Sequence, residues 1–574
     1  MVNATVDEFS GTTARGGGRR QWLMLVVLLT GLYMQMLDTT ITTVAVPAIQ
    51  RSLDATFGEV QLVLAGYSLA FACMLITGGR LGDIHGRRRL FWLGMLGFTA
   101  ASALCGAAPD PRTLVVARIV QGACSGLMFP QVLAIIQVSI PARDKGRAYA
   151  VYGATVGLGA ITGPVLGGAL IAWNPFGADW RAIFLVNVPI GLVALALAPR
   201  LLSESTSPDA DRLDIPGVLL ITTGLFLLVL PLVIGRDQGW PAWTFAMMAA
   251  SVPVLAAFAW YEARLSHRDG ASPLLRTALF RQRSFTVGIL LCLCFFAAVP
   301  SFFFTFLLTL QVGFGYSAVS AGAVTLAFAG TVAVASARST AAVRRLGTWT
   351  LAVGSALAAV GVVIVMITLH AAGTDLRGWY LVPALMVAGA GGGLVLAPVT
   401  SVILAGVHSD DAGAASGALA TLQQVGSAAG IAVMGVIFFG LLGANADRSA
   451  DQAVPGLRSD LAAVHVTGPQ AGQIEQAFRV CFHDKANLND PSGTPASCRR
   501  IAHQVAASPA PPATKAAVAH AVQDRAATLA RKHDFSHTLQ QGLGWQLGAF
   551  GATFLLVLAL PKVRPDADLP LAAA

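Results

Sequence analysis

Charge is scarce in this chain. Only 12% of its 574 residues are Asp, Glu, Lys or Arg, against roughly 25% in ordinary soluble domains, while 55% are hydrophobic and the mean hydropathy is +0.67. That balance excludes a soluble enzyme or binding module. No G-x-x-x-x-G-K-[ST] loop occurs to cradle phosphates, so nothing points to ATP as a driving force. No Cys/His ligand spacing suggests a metal, and no cofactor is expected. The seven cysteines are few, and five (Cys73, Cys105, Cys124, Cys292, Cys294) fall in apolar runs, where they read as small packing residues. Acids are almost missing from those runs. Of 29, Asp38 alone lies deep inside one; of 38 bases, Arg118 alone clearly does.

The chain is rich in apolar runs of about 20 residues, each long enough to cross a bilayer as a helix. Fourteen candidates lie near 22–46, 60–79, 90–108, 113–134, 148–172, 182–199, 214–234, 243–261, 285–311, 318–338, 349–369, 380–404, 412–440 and 541–561. The first is followed directly by another, so it reads as a span rather than a cleaved leader. With the chain starting inside, 22 Lys and Arg fall in internal segments and 5 in the short external loops. This asymmetry predicts both termini in the cytoplasm of a multi-pass cell-membrane protein. The net charge of +9 is then a topology signal, and no nucleic acid is implied.

The fold class expected is all-α and polytopic. A disordered tail (1–20) precedes a six-helix bundle (21–199). A two-helix insert with cytoplasmic linkers (200–284) and a second six-helix bundle (285–561) follow, then a second tail (562–574). Within the second bundle, 441–540 is polar and poor in large apolar residues. It is expected to be an extracellular loop with short helices, one over TKAAVAHAVQDRAATLARKH. Disulfides persist outside, so Cys481 and Cys498 are expected to bridge. The histidines scattered there suggest no ligand set.

Three motifs carry mechanism. The turn Gly79-Arg80-Leu81-Gly82-Asp83-Ile84-His85-Gly86-Arg87-Arg88-Arg89 places glycines where helix ends approach and Asp83 where it can cap or pair. Gly159, Gly163, Pro164, Gly167 and Gly168 describe a bent fifth span that packs backbone to backbone. LDTTITTVAVPAI carries Asp38, whose charge costs about 2.5–3.5 kcal/mol in a span on insertion scales. With LVVARIVQGACSG (114–126) and WRAIFLVNVPIG (180–191), these stretches resemble the major facilitator superfamily, and within it the fourteen-span drug:proton antiporters. The likeness covers nearly the whole chain except the tails and 441–540. Thr43 stands where that subfamily usually has Asn.

The resemblance implies a major facilitator fold, two six-helix bundles plus two extra helices, rocking about a central cavity. It further implies gating by the turn around Asp83 and by the Gly163-Pro164 segment. Asp38 and Arg118 lie at compatible depths, about 12 and 9 Å from the outer ends of their spans. Asp38 can be the proton-coupling acid, a counter-ion to a cationic substrate, or one half of a structural pair. Gln35, Tyr67, Gln121, Gln131, Phe303, Gln311 and Gln424 are candidates for the substrate cavity, with Gln423 a further polar position. The function expected is proton-coupled efflux of amphipathic organic compounds by a monomer in a bacterial cytoplasmic membrane, with the proton as coupling ion. The rival readings are an exporter of a lipid, siderophore or amino acid, and a sensor or scaffold acting through 441–540.

Overall fold

The computed structural model describes residues 14–55, 57–207, 213–235, 238–266, 278–405, 407, 412–487, 494–507 and 511–560. Among them there is no strand, and fourteen helices are long and apolar enough to cross a membrane. The expected tail 562–574 and residues 1–13 of the other lie outside the described residues. From Ala14 onward the expected disordered tail is already helix.

The first bundle comprises α1 (Ala14–Leu53), α2 (Phe57–His85), α3 (Arg87–Ala107), α4 (Pro111–Ser139) and α5 (Ala142–Trp173). The pair α6 (Ala182–Leu185) and α7 (Asn187–Leu201) forms its sixth span. Helix α4 starts where its composition says it should: Asp110 accepts the Thr113 N–H, and Pro111 sits where no N–H is needed. The sixth span breaks at Val186 because Pro189 has no N–H to offer the carbonyl of Leu185. The insert follows as α8 (Ile215–Ile234) and α9 (Ala242–Leu265); α8 lies against α2, with Cys73 Sγ 3.8 Å from the Thr222 carbonyl.

The second bundle contains α10 (Ala278–Arg281), α11 (Arg283–Leu308), α12 (Ala318–Leu346), α13 (Trp349–Ala372), α14 (Val382–Ala405) and α15 (Ala412–Ala463). After α16 (Pro469–Ala486), α17 (Ala496–Ala507) and α18 (Pro512–His520), the chain returns through α19 (Ala527–Ala559). The architecture is two six-helix bundles plus two extra helices. The bundles meet along α5 and α12, where Gly146 faces Thr340, Gly157 faces Val332 and Gly168 faces Val319. They meet again where Gly417 of α15 lies against the Leu75 carbonyl of α2. This second contact lies about 12 Å of helix before Asp83, in the half of α2 that leads to the Asp83 turn at the turn end of the molecule.

The polar segment 441–540 departs from expectation. It is a helical cap continuous with the bundle, because α15 and α19 run unbroken across both of its limits. At 1.5 Å per residue, the 52-residue α15 is about 78 Å long, more than twice the ~30 Å hydrocarbon core. The cap has its own core of Val454, Leu457, Leu461, Phe478, Ile501 and Val522, interleaved with buried Ala450, Ala453, Ala521 and Ala530. A count of large apolar residues underestimates such a core, since alanine lets helices approach closely. The expected helix over TKAAVAHAVQDRAATLARKH is realised in three pieces, α18, a π-helical turn at Ala521–Ala526, and the start of α19.

Paired charges cover the cap. Arg458 donates two bonds to Glu475, at 2.8 and 2.7 Å, and those bonds hold the Glu475 carboxyl below its usual range. Arg479 binds Asp451 and Arg525 binds Asp460. Cys481 and Cys498 are disulfide-bonded with their Cα atoms 4.7 Å apart, tying α16 to α17. Closing so short a loop contributes about 3 kcal/mol in the chain-entropy account. Reduction by a membrane-impermeant phosphine should therefore speed proteolysis within 469–507 and leave cleavage elsewhere unchanged; equal protection before and after reduction would refute this role.

Candidate functional site

Asp38 sits mid-way along α1, fully buried, with Arg118 of α4 beside it, also buried. Arg118 Nη1 donates to Asp38 Oδ2 and to Gln121 Oε1 (2.8 Å), and its Nε donates to the Val63 carbonyl of α2 (3.2 Å). Two amides donate to the other carboxylate oxygen, Gln121 Nε2 at 2.9 Å and Asn187 Nδ2 at 3.2 Å. Asn187 also donates to Ser102 Oγ, which donates to the Phe184 carbonyl. The Tyr67 ring centroid lies 4.1 Å from the Arg118 guanidinium carbon, and the Tyr67 hydroxyl donates to Ser125. Five spans thus converge on one carboxylate.

This is the arrangement a buried ion pair needs if it is not to be ruinous: both charges adjacent, and the spare oxygen satisfied by neutral donors.

The candidates from sequence are distributed unevenly. Tyr67 and Gln121 belong to the charged cluster itself. Gln35 is buried a turn earlier on α1, its Nε2 3.4 Å from Thr39 Oγ1 and its Oε1 without a hydrogen bond. Gln131 is buried between helices: its amide donates to the Gly78 carbonyl at 2.7 Å and its oxygen fills the space left by Gly82. Gln311 is exposed in a π-helical turn (Thr309–Gly313) at the end of α11. Phe303 packs edge-on against Phe328, centroids 4.7 Å apart, inside the second bundle; Gln424 is half-buried on α15. Sequence reasoning passed over Asn187, although the amide in WRAIFLVNVPIG was a visible signal.

The Asp83 turn is a clamp. Arg87 Nε and Nη2 donate to Asp83 Oδ1 at 3.0 and 2.7 Å, both residues buried. Gly79 and Gly82 are buried on α2, and Gly86, the single residue between α2 and α3, has φ 104°, which glycine alone adopts freely. The strand of chain leaving α7 folds back over it. Ser207 N–H donates to the Asp83 carbonyl, Arg87 N–H to the Ser205 carbonyl, and Arg88 N–H to Glu204 Oε1 at 3.1 Å. Glu204 Oε2 also lies 3.5 Å from Arg88 Nε and 3.6 Å from Arg89 Nε. In the sequence, 202–207 read only as linker. Glu204→Ala should cost less than about 1 kcal/mol, since the pairs are partly solvated, yet speed hydrogen exchange of the Arg88 amide about tenfold; unchanged exchange would remove Glu204 from the clamp.

Gly159, Gly163 and Gly167 of α5 face α1. Thr40 Oγ1 lies 3.3 Å from the Gly159 carbonyl and fills the place where a Gly163 side chain would go, and Gly167 rests on Ile41. On its other side α5 meets α12, with Pro164 near Gly322 and Gly168 at Val319. So α5 sits between the helix bearing Asp38 and the opposite bundle.

Two six-helix bundles meeting along α5 and α12, a charged cluster within one of them and a clamp at the turn end define a membrane transporter. The sequence profile of the Major Facilitator Superfamily matches residues 28–431, and the chain belongs to that family. It is 38% identical over 544 residues to a probable actinorhodin transporter of Streptomyces coelicolor, covering 94% of this chain and 92% of that one. It is 33% identical to a tetracenomycin C resistance and export protein of Streptomyces glaucescens, covering 83% and 88%. A multidrug resistance protein, Stp, of Mycobacterium tuberculosis is 32% identical, covering 76% and 79%. Among solved structures the human organic anion transporter MFSD10 superposes with a TM-score of 0.50 at 18% identity, covering 73% of this chain and 93% of that one. The proton:xylose symporter XylE gives 0.50 at 17%, covering 73% and 89%; both establish the fold alone.

Proposed function

We propose that this chain is a proton-coupled efflux antiporter for amphipathic secondary metabolites or drugs, acting as a monomer in a bacterial cytoplasmic membrane. The observation that carries the reading is the Asp38 carboxylate, buried and held by Arg118, Gln121 and Asn187. Relatives named for the export of, or resistance to, such compounds support the cargo. The excess of Arg and Lys in the segments at the turn end supports a cytoplasmic turn end and an external cap.

In this scheme the outward-facing protein takes a proton onto Asp38. Arg118 is released toward Gln121 and Tyr67, and the contacts of α1 with α4 and α7 loosen. The bundles then rock along the α5–α12 seam, the Gly417–Leu75 contact parts, and the proton leaves to the cytoplasm. Substrate entering from that side drives the return.

The test uses proteoliposomes with a pH-sensitive dye inside, offered lipophilic cations, neutral antibiotics and acidic metabolites. Proton flux triggered by one class of compound is the expected result and names the class. Substrate movement with no accompanying proton flux would reject the coupling.

A further inference from the structure

Helix α19 carries a buried carboxyl outside the site described above. Its apolar part, 541–559, fits a span, and Asp534 lies two turns before it, where the cap joins the bundle. Asp534 is 1% exposed, forms no ion pair among the described residues, and its Oδ1 has no hydrogen bond. The groups that act on it are the hydroxyls of Ser449 on α15 and Thr538 on its own helix. Next to them, Asn445 donates to Thr538 Oγ1 at 3.3 Å and to Gln541 Oε1 at 2.9 Å. Phe535, the following residue, fills the space beside Gly313 in the π-helical turn that ends α11.

Among the described residues no cation pairs with this carboxyl. On α15, Asp447, Arg448 and Asp451 are exposed, and Asp447 and Asp451 are engaged by His483 and Arg479. His370 of α13 and Asp375 just beyond it are exposed; the turn 309–313 has no ionisable residue. In the 521–526 turn, Asp524 and Arg525 are exposed, and Arg525 is bound to Asp460. On α19 itself, Arg531, Lys532, His533 and His537 are half-buried, and none pairs with it. An ionised carboxylate with one oxygen unsatisfied is costly in such a place. The neutral acid is not, because its proton can be donated to a neighbouring hydroxyl and its carbonyl tolerates the missing bond.

We propose that Asp534 is a second proton-binding site, and that its protonated form holds α15, α19 and the cap end of α11 together. Deprotonation creates the buried charge, and the junction opens to hydrate it. The packed state binds the extra proton, so its advantage is full in acid and falls as pH rises through the carboxyl's titration. Each pH unit in that window changes the packed-to-open ratio by up to about tenfold. The site stands in the bundle opposite to Asp38, so it does not require Asp38 to carry the transported proton.

The test is pH-stepped infrared difference spectroscopy of the full chain in nanodiscs, with hydrogen exchange of 445–449 and 534–538. A protonated-carboxyl band should vanish on alkalinisation, persist in Asp38→Asn and be absent in Asp534→Asn and Asp534→Ser; either folded variant suffices. Exchange at the junction should quicken with pH beyond its intrinsic chemistry in the wild type, and lose that excess in Asp534→Asn. A band unchanged in the folded Asp534 variants would overturn the site, and equal excess exchange in wild type and variant would overturn its hold on the junction. Absence of substrate-driven proton flux would instead reject the antiport reading and leave the Asp534 band standing.

Discussion

Asp38→Asn is expected to abolish substrate-triggered proton flux in proteoliposomes, a fall of at least about a hundredfold. The amide cannot take up a proton, and its NH2 must face either Arg118 or the Gln121 and Asn187 donors, where an oxygen had been. Breaking one side of a buried pair costs about 3–5 kcal/mol because the remaining charge is stranded. The single variant should therefore also melt earlier. Loss of flux from simple unfolding is separated from loss of coupling by the double variant Asp38→Asn/Arg118→Gln. Removing both charges should restore most of the melting temperature and none of the proton flux. Flux recovered along with stability would make the pair a structural one and move the coupling site elsewhere. Asn187→Ala supplies a graded companion, since Asp38 keeps Arg118 and Gln121 and loses only a 3.2 Å bond; a hydrogen bond to a charged acceptor contributes about 1.5–3 kcal/mol.

Gly163→Leu should have the second large effect, with transport lost entirely. The space beyond the Gly163 Cα is occupied by Thr40, and the Ile41 backbone nitrogen lies 2.9 Å from where a Cβ would stand. Any side chain pushes α5 off α1, the helix that holds Asp38. Gly163→Ala is the finer probe: overpacking by one methyl costs about 1–3 kcal/mol, and transport should drop about tenfold. Thr40→Ala in the same chain should give part of that back, because the hydroxyl is removed while the Thr40 Cβ, 2.8 Å from the new methyl, stays. Rates of export by cells and by proteoliposomes check this. Additive losses in the double variant would place the glycine's role somewhere other than the α1 contact.

Much of this molecule was legible because membrane-spanning helices write themselves as long apolar runs, and because Asp38 and Arg118 stand alone in theirs. The Asp83 turn was legible through its glycines, one of which needs φ 104°. What escaped has a common cause: partners supplied by segments whose own composition says nothing. Glu204 is an ordinary acid in a polar stretch until 202–207 folds over the turn. Gln131 reads as a cavity amide, and nothing in its own stretch says that it fills the space beside Gly82. Asp534 lies among Arg, Lys and His, where a sequence reading puts it in water; only the continuation of α19 and its packing on Ser449 bury it. The cap was misjudged because alanine-rich helices bury small side chains, and helix propensity carries a helix past the end of its apolar stretch.

Helix α15 has a mechanical meaning. From Gly417, where it touches α2, to Ala450 in the cap core is about 50 Å of helix with no proline in it. Such a rod is a lever arm: a tilt of about 10° at the turn end sweeps the far tip through roughly 9 Å. In the proposed cycle the cap would then be a pointer for a contact buried at the other end of the helix. A fluorophore on α16 would read the state of the Gly417–Leu75 contact from the polar end of the rod. A binder wedged against the cap would arrest that contact from a distance, turning the least conspicuous part of the chain into a handle on the whole.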